Sequence, residues 1–308
     1  MNMSRSLRVA LCLFAVTHAR GQNVDTTLLV PGSSTMVTAW TIPRNPLLDS
    51  TLDKTAGGRQ IRWGYRLFVN TPAEAPALAR NSLTCGNCHL NAGQRELALP
   101  VVGVATAFPE YNNRAGRMFS LEDRIVGCFT RSEDGTGILS AGGNEEQLPS
   151  ANTPEVTAIA AYIRWLSAGF SRGDSLPWRG HNLIARENKI RLEDLSPSRG
   201  RALFKEKCAS CHGKDGEGVQ IGDKKAGPLW GPKSWNDGAG AARIYTLAGI
   251  IRFAMPYLNP GSLTDEEAQH IAAFINSMPR PAYPFKGKDY QVEPLPADAV
   301  YYKTGGAR

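Results

Sequence analysis

The sequence predicts a mainly α-helical chain made of two tandem units of the same build, with an extended arm at each end. Three signals recur in the same order: G-x-x-L-F, then C-x-x-C-H, then an apolar segment of the form I-A-A-aromatic-I. They stand at 64–68, 85–89 and 159–163, and again at 200–204, 208–212 and 271–275. Such self-similarity indicates an internal repeat.

The segments that flank each motif are predicted to be helices. Apolar residues recur at helical spacing: Ile61, Gly64, Tyr65 and Phe68; Ile159, Tyr162, Ile163 and Leu166; Ala268, Ile271, Ala272 and Ile275. Helix starts are predicted at Thr153-Pro154 and Ser196-Pro197, and a capping box at 264–267. A small Gly on each first helix allows close approach of the aromatic residue on the last one. Each unit therefore reads as helix, motif, loop and helix.

Composition excludes some classes of function. The 308 residues carry a formal charge of +7, spread along the chain without a block of consecutive basic residues. That pattern argues against a nucleic-acid surface and permits an anionic substrate or an acidic redox partner.

The N-terminus is typical of an export signal, predicted over 1–21. Arg5 and Arg8 precede the apolar run 9–16, which is too short to span a bilayer. The residue before Cys12 is not small, which disfavours a lipoprotein anchor there. No later segment is apolar enough to cross a membrane, so we expect an exported, periplasmic protein without stable membrane insertion.

The two C-x-x-C-H motifs indicate two covalently bound haem c groups. The two thiols bind the haem vinyl groups and the adjacent His supplies the proximal iron ligand. A thioredoxin-like pair or half of a zinc site is the alternative, but two copies in an exported chain favour haem. The attachment residues are Cys85, Cys88 and His89 in the first unit and Cys208, Cys211 and His212 in the second.

With haem in place, each unit resembles the class I cytochrome c fold, in which the first and last helices cross. By that resemblance the carbonyls of Pro100 and Pro228 orient the proximal histidines; mere loop punctuation is the alternative. The predicted division is a signal peptide at 1–21, domain 1 with the first haem at 22–170, a linker at 171–196, domain 2 with the second haem at 197–280, and a C-terminal arm at 281–308.

The sixth ligand of each iron separates electron transfer from chemistry. In the second unit Met255 lies between the motif and the closing helix, where small cytochromes place their distal Met. Met278, at the end of the last helix, is better explained as core.

The first unit has Cys128 at the corresponding place. Met118 is another candidate, and either residue can instead be a buried hydrophobe. An unpaired cysteine in an oxidising compartment needs a reason, however, and thiolate ligation of the first haem supplies one. We therefore favour ligation by Cys128 over inert burial.

Four arginines surround this cysteine, and a helix would put Arg124 on the same face as Cys128. Guanidinium groups there can hold a small oxyanion, whereas solvated surface arginines are the alternative. The four are Arg114, Arg117, Arg124 and Arg131.

Longer runs make the resemblance specific. GYRLF, SLTCGNCHLNAGQ and FPEYNNRAGRMFSLEDRIVGCF resemble the thiosulfate dehydrogenase family of dihaem cytochromes c, and CASCHGKDGEG with FAMP is similar too, over residues 40–280. That family oxidises thiosulfate to tetrathionate, and many members also run the reverse reaction.

The resemblance implies a catalytic haem 1 and an electron-transfer haem 2. The implied iron ligands are His89 and Cys128 in unit 1, and His212 and Met255 in unit 2; Arg114, Arg124 and Ser132 match the substrate pocket. Electrons would pass to an external redox protein such as a small cytochrome c. Some members carry Lys before the distal Met; Ala254 stands here, which excludes a ligand switch by that route.

Three alternatives stay open at this stage: a plain dihaem electron carrier, a dihaem subunit of a multi-protein sulfur-oxidising complex, and a dihaem peroxidase. A peroxidase needs an open iron position, which sulfur ligands at both sites would deny.

Overall fold

The computed structural model describes residues 44–53, 55–221 and 224–303. The predicted signal peptide and Cys12 lie outside the described residues. The described helices are α1 (Ala56–Val69), α2 (Thr71–Glu74), α3 (Cys85–Cys88), α4 (Leu90–Gly93), α5 (Leu121–Arg131), α6 (Gly137–Ser140), α7 (Pro154–Leu166), α8 (Pro197–Lys207), α9 (Ala209–His212), α10 (Ile244–Ala254), α11 (Asp265–Ser277) and α12 (Val300–Lys303). Two short antiparallel hairpins join β1 (Glu110–Asn112) to β2 (Arg117–Phe119) and β3 (Gln220–Ile221) to β4 (Lys224–Lys225).

In the first unit, α1 and α7 cross at Gly64. A Cβ atom on Gly64 would lie 1.9 Å from the carbonyl oxygen of Ala158 and 3.0 Å from Cβ of Tyr162. The two helices therefore touch backbone to backbone, which only glycine permits. Phe68, one turn further along, packs edge to face on Tyr162 with ring centroids 5.5 Å apart.

The second unit repeats this crossing between α8 and α11. A Cβ on Gly200 would lie 1.9 Å from the carbonyl oxygen of His270 and 2.8 Å from Cβ of Phe274. Phe204 packs on Phe274 with ring centroids 5.6 Å apart. The predicted close approach of glycine and aromatic residue is thus confirmed in both units.

The predicted helix starts are also confirmed. Helix α7 begins at Pro154 after Thr153, and α8 begins at Pro197 after Ser196, whose side chain accepts a hydrogen bond from the N–H of Arg199. At the start of α11 the side chains of Thr264 and Glu267 each accept from the other's backbone N–H, as a capping box requires.

Each unit has its own hydrophobic core, and the segment between them packs on both. Trp178 is 3 % exposed and donates to the carbonyl of Val102 at 3.1 Å. Ile184 is buried in the core of the second unit. The segment at 171–196 is therefore folded onto the two units along part of its length; the predicted domain limits themselves stay a prediction.

The segment after α11 also lies on the protein surface rather than away from it. Near its end, Asp298 is 2 % exposed and accepts hydrogen bonds from the Arg243 side chain and from the N–H of Tyr245. Within the part of the chain that the structure describes, no helix has both the length and the apolar character needed to cross a membrane.

Candidate haem sites and anion pocket

Helix α5 carries the candidate catalytic cysteine. A reciprocal capping box between Ser120 and Asp123 starts the helix, with hydrogen bonds of 3.0 and 2.9 Å. Its apolar face, including Ile125 and Phe129, is buried in the first core. Cys128 lies half-buried beside that face, and Arg124, one turn earlier, is exposed to solvent. The predicted helical placement of these two residues is confirmed.

The first C-x-x-C-H motif forms the single turn α3 and ends at His89. Nδ1 of His89 lies 2.5 Å from the carbonyl oxygen of Leu99. Because Nδ1 donates this hydrogen bond, Nε2 is left with a lone pair for a metal ion. Burial lowers the pKa of His89, and the nearby Arg124 lowers it further, which favours the neutral imidazole that metal binding needs.

The predicted carbonyl partners of the two histidines need correction by one residue. His89 faces Leu99 rather than Pro100, and Nδ1 of His212 lies 3.2 Å from the carbonyl oxygen of Gly227 rather than Pro228. Leu99 has a left-handed backbone with φ of 52°, which turns its carbonyl to the ring.

The motif thiols and Cys128 share one buried electrostatic environment. Burial raises the pKa of Cys88 to about 12, and Glu133 and Cys128 add to the effect. Burial also raises the pKa of Cys128, while Arg124 is foremost among three arginines that oppose the rise. The structure therefore brings Cys128 together with the first motif.

The three arginines differ in how they are held. Within the described residues the side chain of Arg124 makes no hydrogen bond or ion pair and is exposed, so its guanidinium group is available. Arg131 donates to both carboxylate oxygens of Asp289 at 2.9 Å. Arg114 donates to the carbonyl of Gly238 and, at 3.3 Å, to the hydroxyl of Tyr290. The fourth arginine of the sequence prediction, Arg117, pairs with Asp123 and is exposed.

Ser132 stands at the end of α5, one turn beyond Cys128. Its N–H donates to the carbonyl of Cys128 at 2.7 Å, and its own carbonyl accepts from Asn81 at 2.7 Å. Asn81 also donates to the carbonyl of Ser234 in the second unit at 3.1 Å. In the described residues the Ser132 hydroxyl has no hydrogen-bond partner, so it is available to a ligand.

The sequence analysis missed Glu133. This residue is 2 % exposed, and its Oε1 lies 3.7 Å from Sγ of Cys85. Among the described residues its Oε2 has no hydrogen-bond partner. Burial raises the pKa of this carboxyl to about 8. No signal in the sequence separates this Glu from a solvated acid beside Asp134, because its burial depends on how α5 ends.

In the second unit, Met255 follows the last residue of α10 and is half-buried. It packs with Tyr257 against Leu90 and Ala98 of the first unit. Arg95, also missed from the sequence, lies 2 % exposed at this junction and donates to the carbonyl of Tyr257 at 3.2 Å. Ligation by Met255 stays a prediction.

The two competing methionines are placed apart from these sites. Met118 lies on β2 and is 53 % exposed, so it is a surface residue. Met278 packs on the second core at the end of α11, as expected for a core residue.

The residues present fit two covalently bound haem c groups. All five cysteines of the described residues are free thiols, and four of them belong to the motifs. Both motif histidines have Nδ1 fixed by a carbonyl. Phe68 and His89 lie with ring centroids 5.9 Å apart, which gives the first site an aromatic wall.

Comparison with protein families identifies a cytochrome c domain in each half. Residues 76–171 match the family model described as SoxA/TsdA, cytochrome c domain. Residues 196–275 match the one described as cytochrome C oxidase, cbb3-type, subunit III. These matches confirm the predicted mainly α fold with two cytochrome c-like domains, and with it the two covalently bound haem c groups.

Individual proteins are similar over most of the chain. The thiosulfate dehydrogenase of Allochromatium vinosum is 36% identical over 252 residues, covering 80% of this chain and 86% of the relative. That of Stutzerimonas stutzeri is 34% identical over 240 residues, covering 78% and 73%. A solved structure of thiosulfate dehydrogenase (TsdBA) from Marichromatium purpuratum matches 80% of this chain with a TM-score of 0.68 and 35% identity; this chain spans 50% of that chain's length.

Proposed function

The chain belongs to the family of thiosulfate dehydrogenases, and from this premise we propose that it oxidises two thiosulfate ions to one tetrathionate ion. The observation that carries the proposal is the position of Cys128, whose thiol shares a buried environment with the first motif and with three arginines. A sulfur nucleophile beside clustered positive charge suits a reaction between sulfur anions.

We assign the iron ligands and the cofactor's part as follows. His89 and Cys128 would hold the first haem iron, and His212 and Met255 the second. When bound, the haems keep Cys128 as a thiolate and take up the two electrons that the reaction releases. The remaining chemistry belongs to side chains of the chain.

Substrate binding falls to Arg124, Arg114 and Ser132. Thiosulfate is a dianion, and guanidinium groups bind such oxyanions through paired charge-assisted hydrogen bonds. Arg124 is exposed and without a protein partner in the described residues, so it can meet the anion first. The hydroxyl of Ser132 can donate a further hydrogen bond one turn beyond Cys128.

The bond changes then balance in two steps. The Cys128 thiolate forms an S–S bond with the outer sulfur of one thiosulfate, which releases two electrons and leaves a cysteine S-thiosulfonate. The outer sulfur of a second thiosulfate attacks the sulfur of the adduct that is bonded to Sγ of Cys128. The new S–S bond forms tetrathionate, and the bond to Sγ breaks and releases the Cys128 thiolate. The second step is an exchange of thiol–disulfide type, so the site can also run in reverse.

The second unit would pass the electrons to a partner. A methionine-ligated haem suits electron transfer, and we propose a small external redox protein as the acceptor. The export signal predicted over 1–21 would direct this chain to the periplasm, where we propose that it meets the acceptor.

The test is thiosulfate-dependent reduction of ferricyanide by the purified holoprotein, wild type beside Cys128→Gly and Cys128→Met. We expect rapid turnover in the wild type and a loss of more than about a hundredfold in each variant, because the reacting atom is gone. Haem content is measured on every sample, so that loss of cofactor is distinguished from loss of chemistry.

Met118→Leu is the matched control, since it removes the other candidate sulfur of this unit from an exposed strand. It should keep wild-type turnover. Full activity in Cys128→Met with both haems retained would refute the role of Cys128. An inactive wild type would favour an electron carrier or a subunit that needs its partner.

A further inference from the structure

The segment after α11 reaches back to the first unit and contacts the arginines around Cys128. We call residues 281–303 the C-terminal arm. Its contacts with these arginines come from Tyr283, Asp289 and Tyr290, and Tyr302 supports two of them. The arm follows the second unit in sequence, so the sequence repeat gives no reason to expect it at the first.

Asp289 anchors the arm beside α5. Its carboxylate accepts both hydrogen bonds of Arg131 at 2.9 Å and the hydroxyl of Tyr302 at 2.5 Å. The Arg131 guanidinium also stacks over Tyr283, 4.0 Å from the ring centroid. Since Asp289 is 8 % exposed, this bidentate pair is a fixed contact that balances the charge of Arg131. The charge of Arg131 is therefore neutralised by the arm.

Arg114 is held by the next residue of the arm. Its Nε donates to the hydroxyl of Tyr290 at 3.3 Å, and its carbonyl accepts from the N–H of Tyr290 at 2.7 Å. Nη1 donates to the carbonyl of Gly238 in the second unit. Within the described residues Nη2 makes no hydrogen bond. Two of the three guanidinium nitrogens are thus fixed and the third remains for an anion.

Tyr290 adopts a backbone conformation that needs support. Its φ of 55° lies in the left-handed region, which a bulky residue rarely adopts and which persists only where the surroundings hold it. Here the supports are the hydrogen bond to the Arg114 carbonyl and the edge-to-face contact with Tyr302, whose ring centroid is 5.7 Å away. The conformation puts the Tyr290 hydroxyl and N–H on the same arginine.

We propose that the C-terminal arm completes the anion site of the first unit and that Tyr290 is a positioning residue, which aims Arg114 at the sulfur oxyanion bound beside Cys128. The inference rests on the proposed function, because it takes thiosulfate and tetrathionate as the anions. It assigns the arginines different tasks: Arg124 and Arg114 bind the anion, while Arg131 ties the arm to α5.

The experiment compares Tyr290→Phe with Tyr111→Phe in the full-length holoprotein. Tyr111 also gives its hydroxyl to the arm, to Glu293 at 3.1 Å, and in the described part of the chain its hydroxyl makes no hydrogen bond with an arginine. Tyr290→Phe keeps the ring and the backbone contact and removes only the bond to Nε of Arg114. We expect KM for thiosulfate to rise about fivefold to tenfold, less than for a lost hydrogen bond to the anion itself, because Tyr290 acts through Arg114. We expect kcat to stay within about twofold. Tyr111→Phe should change neither.

A second measurement does not depend on turnover. Calorimetry on the fully reduced holoprotein gives the affinity for thiosulfate, which cannot be oxidised there because no electron acceptor is available. We expect Tyr290→Phe to weaken this affinity by the same factor, and Tyr111→Phe to leave it unchanged.

The outcomes separate the two proposals. If the wild type does not turn over thiosulfate but Tyr290→Phe still weakens thiosulfate binding to the reduced protein, the proposed function fails and the arm keeps its role. If the wild type is active and Tyr290→Phe matches it in KM and in affinity, the role of Tyr290 is refuted. A fall in kcat and thermal stability with KM unchanged would also refute it, because that pattern marks a structural residue.

Discussion

The two haem units share the same crossing of helices but differ in the residues around the predicted distal sulfur ligand. Both cross their first and last helices at a glycine, and in both the motif histidine donates to a backbone carbonyl. In the first unit, however, Cys128 lies within α5, one turn after Arg124. In the second, Met255 follows α10, and Ile251 occupies the position one turn earlier. The crossing helices and the motif, which both units share, are suited to holding a cofactor. We propose that helix α5 gives the first unit its different chemistry.

The surroundings of the two C-x-x-C-H motifs also differ, in charge and in exposure to solvent. The first motif lies beside the buried carboxyl of Glu133, and the arginines of the proposed anion pocket lie near Cys128. The second motif is more open: Ser210 is exposed, and the nearby Val219 and Ile221 are 40% and 50% exposed. An enclosed charged site suits chemistry on an anion, and an open apolar one suits contact with a redox partner.

The largest expected effect tests what the units share. Gly64→Ala and Gly200→Ala each place a Cβ 1.9 Å from a carbonyl oxygen of the crossing helix. Because backbone cannot yield as a side chain does, we expect each variant to lose at least about 3 kcal/mol of unfolding free energy. Chemical denaturation of the holoprotein measures this loss.

Gly57→Ala is the control, since it lies on the same helix as Gly64 with open space around the added Cβ. It should be as stable as the wild type or slightly more so. If only one of the two crossing variants were destabilised, the units would not depend on the same packing.

An intermediate effect concerns a buried acid at the junction of the units. Asp134 of the first unit is 5 % exposed and accepts from Asn236 of the second at 2.9 Å. Burial raises the pKa of this carboxyl from 3.8 to about 6. The pKa of this carboxyl is higher in the folded protein than in the unfolded chain. Its contribution to the free energy of unfolding is therefore fully present below about pH 4 and is lost as pH rises through about 6. The loss is about 3 kcal/mol.

Thermal unfolding between pH 4 and pH 8 checks this dependence. Asp134→Asn keeps an acceptor for Asn236 and cannot ionise, so its stability should fall less over that range. Glu146→Gln, at an exposed position of the same unit, should follow the wild type. An Asp134→Asn curve parallel to the wild type would mean that another group sets the pH dependence.

The repeat made the scaffold predictable from the sequence. The glycine crossings, the helix starts and the placement of Cys128 and Arg124 on one helix face depend on local spacing, which the sequence contains. The carbonyl partners of the histidines were wrong by one residue, because the left-handed backbone of Leu99 does not follow from its type.

The residues missed depend on contacts between distant segments. Glu133 is buried because of the way α5 ends, and Arg95 is buried at the junction between the units. Tyr290 contacts Arg114, which is far from it in the sequence. Each is polar and unremarkable in its local sequence. The roles of these residues follow only from the tertiary structure, whereas the roles of the motif residues can be predicted from their spacing in the sequence.

The smallest expected effect tests what separates the units. Arg124→Ile gives the first unit the residue that the second carries one turn before its distal sulfur. Since Arg124 has no protein partner in the described residues and is exposed, folding and haem content should not change. Loss of a charge-assisted contact to the anion should raise KM for thiosulfate about tenfold to a hundredfold. Steady-state kinetics at fixed ionic strength measures it.

Arg117→Ile is the matched control, because it removes an exposed arginine of the same region whose guanidinium group is paired with Asp123. Both variants lose one positive charge, so a general loss of electrostatic attraction would raise KM equally in the two. Suppose instead that KM rises only in Arg124→Ile and that part of this increase persists at high salt. The effect then comes from a direct contact between Arg124 and the anion, because salt screens general electrostatic attraction. Equal values in both variants would leave Arg124 as a solvated surface residue, and the difference between the units would then rest on the distal sulfur alone.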